Sequence, residues 1–158
     1  MLFLPPEELR ELDARALEQL LGRTDCTVAF ADGDVRGLAA AALLFADYAV
    51  LHAGATLTVD TPEAWGGAAW RLGRGALRWH LRGAPSEDIV DEIVDADARD
   101  WFARWMQGRS AMALDSAAAL TRMRGGDRLE RAEFARLFAA GEPQKGMAAF
   151  LGKREAKF

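Results

Sequence analysis

With a single cysteine, Cys26, the chain cannot form an intramolecular disulfide or supply a cysteine-based metal cluster. Cys26 opens an apolar run, where a free thiol behaves as a small buried hydrophobe. No apolar run is long enough to span a bilayer. The opening MLFLPPEEL lacks the basic segment and the long apolar segment of a secretory signal, so a cytoplasmic location is expected. There is no block of Lys or Arg, and the net charge is -4, which leaves no electrostatic footprint for nucleic acid or an anionic membrane surface. Lysine is scarce, and Lys145, Lys153 and Lys157 all fall in the tail. Metal-ligand spacing is absent. His52 and His80 have no Asp or Ser at a useful sequence spacing, so neither reads as catalytic. No internal repeat or low-complexity tract is found.

What is present is ordinary for a globular domain: 158 residues, 51% apolar and 28% charged. That length suits one domain with a helical appendage and a sizeable core. Pro5-Pro6 followed by Glu7-Glu8 predicts a helix start, and Leu9, Leu12, Ala16, Leu17, Leu20 and Leu21 continue it at helical spacing until Gly22. The run from Cys26 to Ala31 predicts a buried strand, and Asp32-Gly33-Asp34 a tight turn. Residues Gly37 to Asp47 are small and apolar all round, as a helix buried between layers would be. Strands are expected at Tyr48–Ala53 and Ala55–Val59, then a loop at Thr61-Pro62-Glu63. A helix over Gly66–Arg82 should break at Gly73 and Gly75. Ile89, Val90, Ile93 and Val94 suggest a last strand. Beyond Asp97 the pattern is helical: Ala98–Gln107, Ser110–Met123, Leu129–Ala140 and Gly146–Lys153. The plan is a βα core over residues 1–97 and a helical oligomerisation region over 98–158.

The tail carries a sharper signal. Gly141 to Phe158 reads GEPQKGMAAFLGKREAKF, and it resembles the pattern E-D-Q-K-E-G-M-x-A-F-L-E-K-R-K-P-x-F that ends the crotonases, the enoyl-CoA hydratase/isomerase superfamily. Upstream, Ala31 to Asp47 (ADGDVRGLAAAALLFAD) resembles the family's V-N-G-x-A-x-G-G-G-x-E-L-A-L-A-C-D, with Gly33, Gly37, Leu44, Ala46 and Asp47 holding the frame. Gly66-Gly67 with Arg71-Leu72 resembles G-G-T-Q-R-L, and Ile89 to Val94 resembles G-L-V-D-E-V-V. The resemblance implies an α/β, ClpP/crotonase-like core, N-terminally truncated, with a C-terminal helical region. Three departures stand out. The family's A-G-x-D-L loop has no counterpart, the stretch after its P-E pair is nearly deleted between Thr61 and Gly66, and Ala41 occupies one of its two acidic positions.

By this resemblance the chemistry would act on an acyl-CoA thioester, with coenzyme A present only as part of the substrate and no other cofactor. The backbone N–H of Leu38, at the start of the helix after the turn, would be an oxyanion donor, because free amides and the helix dipole both favour negative charge there. Glu63 would be the acid/base, with Asp60 an alternative in a shifted register. Phe150 and Lys153 would reach the CoA of a neighbouring copy in a homotrimer or hexamer. The alternative is a catalytically silent subunit that binds or stabilises a full-length homologue or a carrier-protein complex. An unrelated α/β interaction module is a third reading. Trp65, Trp70 and Trp79 are expected in core packing, and Trp101 and Trp105, one helical turn apart, against the fold or a subunit.

Overall fold

The computed structural model describes residues 1–83, 88–122 and 126–158. The chain forms two compact bodies: one comprises Phe3–Arg23 and Thr27–Ala98, the other Met1–Leu2, Thr24–Cys26 and Arg99–Phe158.

The first body is built on a sheet of order β1-β2-β4-β6, with β1 at Leu2–Leu4, β2 at Thr27–Ala31, β4 at Tyr48–His52 and β6 at Glu92–Val94. β2 and β4 pair in parallel, Val28 opposite Tyr48 and Ala31 opposite Leu51, and β4 and β6 pair in parallel through Leu51 and Ile93. Every residue of β2 is buried, the continuous apolar pattern of a central parallel strand. β3 (Asp34–Val35) and β5 (Thr56–Leu57) form a separate parallel pair. The strand expected over Ala55–Val59 is therefore shorter, and it leaves the main sheet.

Helix α3 (Gly37–Phe45) crosses from β2 to β4, and Ala40 to Leu44 within it are wholly buried. Helix α4 (Pro62–Leu72) lies against it at very close range. A Cβ on Gly67 would stand 2.7 Å from Leu44 Cβ and 3.2 Å from the Ala41 carbonyl oxygen, so only glycine permits this approach. α4 starts earlier than its periodicity predicts. Thr61 caps it by accepting from the Ala64 N–H at 3.3 Å, and Pro62 and Glu63 form its first turn rather than a loop. α5 follows at Gly75–Leu81, separated from α4 by Gly73 at φ 53°.

The leading helix also differs from expectation, because it is two helices, α1 (Pro6–Arg10) and α2 (Ala14–Leu21). Asp13 accepts from the Ala16 N–H at 2.7 Å, and this cap restarts the helix where the apolar spacing alone would run through.

The layers are closed by polar clamps. Asp47 accepts from the Thr27 N–H at 2.8 Å and Asp91 from the Ala49 N–H at 2.7 Å. Arg71 donates to the Ile89 carbonyl at 2.8 Å and the Ala46 carbonyl at 2.9 Å, and it pairs with Asp91. One guanidinium thus ties α4 to the ends of two connections, a fork geometry that only arginine supplies.

The second body contains α6 (Ala98–Trp105, beginning at the boundary), α7 (Ala111–Arg122), α8 (Gly126–Ala139) and α9 (Glu142–Leu151). Met123, the expected end of α7, lies outside the described residues. α9 begins four residues before the expected Gly146. Gly141, at φ 78°, turns the chain after α8, and Pro143 fits the first turn of the new helix. Hydroxyls join these helices. Ser110 accepts from the Ala113 N–H at 3.2 Å, capping α7, and its hydroxyl helps hold the Glu142 carboxyl at the head of α9 below the usual range. Ser116 donates to the Met112 carbonyl at 3.0 Å and accepts from Arg136 of α8 at 2.6 Å.

Candidate functional site

The start of α3 is where chemistry and geometry converge. The turn after β2 leads into β3, and Thr56 and Thr58 of the β5 segment donate to the Gly33 and Val35 carbonyls at 2.8 Å each. This short pairing carries the chain on to residue 60 beside the head of the helix. Gly37, at φ 57°, opens α3, and its N–H donates to Asp60 Oδ1 at 3.4 Å. Leu38 is the second helical residue and half-buried. First-turn amides have no intrahelical acceptor, so its N–H is among the donors a helix start offers to negative charge.

Asp60, and not Glu63, makes the hydrogen bond at this turn. Glu63 is exposed in the first turn of α4, where its charge complements the helix dipole. Ala41 is wholly buried at the α3–α4 contact, its carbonyl beside Gly67. Two further ion pairs flank the turn, Arg10 with Asp32 and Arg36 with Asp34. Asp60 is therefore the carboxylate in contact with the head of α3, while Asp32 and Asp34, in the turn before it, are each paired with an arginine.

Phe150 and Lys153 lie in the other body. Phe150 is 82% exposed, and Lys153, also exposed, takes the left-handed conformation at φ 47° just after α9. The terminal segment folds back on its own body: Glu155 approaches Gly108, and the Phe158 ring approaches Gly146.

Two histidine and tryptophan readings change. His52 does have an aspartate partner, because β4 and β6 end side by side: its Nε2 lies 3.4 Å from Asp95 Oδ1, while its Nδ1 accepts from the Gly54 N–H at 3.1 Å. Both nitrogens are engaged in holding a turn, so no lone pair remains for base catalysis. Trp70 is not core: it is 56% exposed, with Phe45 at 6.5 Å. Trp65 meets His80 edge-on at 4.7 Å, and Trp101 is buried and stacks on Trp105 at 5.8 Å. Among the described residues no group of His, Cys, Asp or Glu is arranged to hold a metal ion, and no helix is long and apolar enough to cross a membrane.

Comparison with solved structures settles the architecture. An enoyl-CoA hydratase/isomerase from Marinobacter aquaeolei superposes over 90% of this chain and 64% of its own, with a TM-score of 0.61 and 19% identity. The fold is crotonase-like. An enoyl-CoA hydratase/isomerase family protein from Hyphomonas neptunium matches over 92% of this chain and 65% of its own, at a TM-score of 0.65 and 21% identity. Human enoyl-coenzyme A hydratase domain-containing protein 3 matches over 92% and 67%, at 0.65 and 16%. The chain thus spans about two-thirds of the length of these crotonase-like structures, and the likeness is one of backbone architecture. No protein-family profile matches the sequence, and none of the curated proteins is similar enough to match.

The residues that sequence reasoning passed over are structural. Arg71 and Gly67 were visible only as matches to a family pattern. Their roles depend on Ala46, Ile89, Asp91 and Leu44, which lie far from them along the chain. Ser110 and Ser116 left no signal beyond the general preference of serine for helix starts.

Proposed function

We propose that this chain is a crotonase-family protein that binds an acyl-CoA thioester and, where it turns substrate over, shifts a double bond rather than adding water. The observation that carries this reading is the head of α3, where the Leu38 N–H stands in a first turn and a carboxylate, Asp60, lies 3.4 Å from the neighbouring Gly37 N–H. A thioester carbonyl oxygen directed at these amides would be stabilised as it gains charge. A nearby carboxylate would remove the α proton of a β,γ-enoyl thioester. The electron pair would pass into the carbonyl, forming a dienolate, and the same carboxyl group would return the proton at the γ carbon. One carboxylate suffices for this cycle, whereas hydration in the family uses two, and Ala41 occupies the other position. Glu63 and Asp60 are the candidates for the shuttle. Phe150 and Lys153 would meet the CoA of an adjacent copy in a trimer or hexamer, the lysine as a point charge for phosphate.

Two observations favour a second reading, a silent subunit that supports a full-length homologue. Asp60 already occupies an amide at the turn, and its charge disfavours an incoming anion at the same place. Thermal shift with CoA, acetyl-CoA and crotonyl-CoA, followed by isomerisation assays, separates the two. A ligand present at about a hundred times its Kd should stabilise the fold by roughly 2.7 kcal/mol. Residual isomerisation should fall at least about tenfold in Glu63→Gln or Asp60→Asn, the range of a positioned acid–base group. No stabilisation by millimolar CoA thioesters and no turnover would leave the silent subunit as the better reading.

A further inference from the structure

We propose that the outward face of α5 is a docking surface for an acidic protein partner. The argument rests on α5 alone and is independent of the thioester reading.

Helix α5 and its two caps run from Arg74 to Arg82, and both cap residues keep helical dihedrals. At 100° per residue, Leu77, Leu81, Arg74, Arg78 and Arg82 fall in that order within an arc of roughly 140°. Ala76, on the opposite side, is 5% exposed and packs into the body, whereas Leu77 is 63% and Leu81 73% exposed. All three arginines are exposed as well, and none of them makes an ion pair among the described residues. Two bare leucines beside three uncommitted guanidinium groups therefore share one face, on a chain whose net charge is -4.

This local reversal of charge selects an acidic partner, and the apolar pair identifies the partner as a protein. An in-plane membrane helix buries its apolar side and keeps its charges on the opposite side. In α5 the opposite side is anchored in the body through the buried Ala76 and the half-buried Trp79, and the leucines and arginines lie next to each other on the outer side. An apolar strip bordered on one side by charge matches the margin of a protein interface, where the apolar core meets the polar rim. The fitting occupant is a helix presenting leucine-type side chains flanked by Asp or Glu, with the arginines steering its approach.

The test uses a fluorescein-labelled synthetic peptide helix bearing Leu and Glu on one face, read by anisotropy. Wild type should bind with a Kd on the order of 10 µM. Affinity should weaken as salt rises from about 50 to 500 mM, because rim charges are screened. The triple variant Arg74→Ala/Arg78→Ala/Arg82→Ala should lose at least about tenfold in affinity, while the corresponding triple Arg→Lys variant should stay within about threefold. Leu77→Ser/Leu81→Ser should weaken binding at every salt concentration. Circular dichroism melts confirm that each variant is folded. Absence of saturable peptide binding by the folded wild type, equal binding by the triple alanine variant, or binding to phosphatidylserine vesicles in preference to the peptide would each overturn the proposal.

Discussion

The βα body and the helical body are held by different physics. In the first, β2 and the middles of α3 and β4 are buried, with Val28, Ala29, Leu43, Leu44, Ala49 and Val50 all at 0% exposure. Polar groups there act at the edges, as Asp47, Asp91 and Arg71 close backbone donors and acceptors that the sheet leaves open. The helical body relies more on hydroxyl and charge contacts between helices, Ser110 to Glu142 and Ser116 to Arg136. It also leaves apolar surface in water: Phe134 is 61%, Met147 63%, Phe150 82% and Leu151 79% exposed. Large exposed apolar groups of this kind mark surfaces that other molecules cover. Both bodies leave apolar side chains in water, Trp70, Leu77 and Leu81 in the first and Phe134, Met147, Phe150 and Leu151 in the second, but the run of wholly buried side chains belongs to the first.

The sharpest way to break this contrast is at the arginine clamp. Arg71→Ala should cost about 3 kcal/mol in urea unfolding, because it strips two carbonyls of their donor and leaves Asp91 without its cation. A loss under about 0.5 kcal/mol would place the clamp among ordinary surface pairs. Gly67→Ala sets two effects against each other. Alanine gains about 1 kcal/mol of helix propensity, while overpacking costs about 1–3 kcal/mol. The Leu44 Cβ at 2.7 Å is fixed to the backbone, so net destabilisation is expected, and a stabilised variant would mean that α3 and α4 can separate at little cost.

In the helical body, Ser110→Ala removes a cap worth about 1 kcal/mol. It also acts on Glu142, whose carboxyl is held below the usual range first by the Ser110 hydroxyl and then by Lys145. A carboxylate with a lowered folded-state pKa stabilises above its unfolded pKa, and that stability is lost as pH falls through the folded value. The gap between wild type and Ser110→Ala should therefore be widest near neutral pH and narrow on acidification. A gap that stays constant with pH would reduce Ser110 to a cap alone. The smallest effect on stability belongs to Phe150→Ser, expected within about 0.5 kcal/mol because the ring is in water. The same change should disperse a trimer or hexamer in light scattering. A wild type that is monomeric at micromolar concentration would end the oligomer reading, and a large loss of stability would show that the ring packs within its own chain.

Much of the fold was legible because periodicity is a local property. The all-apolar TVAFA marked β2, and the unbroken small-residue run marked α3 as a helix buried on all sides. Helix boundaries were read less well wherever a single polar residue decided them: Asp13 splits the first helix, Thr61 starts α4 early, and Gly141 with Pro143 starts α9 early. The candidate site was legible only in outline. The frame from Gly33 to Asp47 located the turn and the helix after it, but the approach of Asp60 to Gly37 depends on β3 and β5, two residues each, too short to announce themselves.

The sequence by itself determined the order of elements, the burial of β2 and of the middle of α3, and a tail that resembles the ending of crotonases. Tertiary structure alone decided which carboxylate stands at the head of α3, that His52 spends both nitrogens on Gly54 and Asp95, and that Arg71 reaches three acceptors. The reason is physical. Spacing along a chain encodes which face of an element is apolar, whereas contacts such as Gly37–Asp60, Arg71–Ala46 and His52–Asp95, between residues more than 20 apart, depend on how those faces have packed.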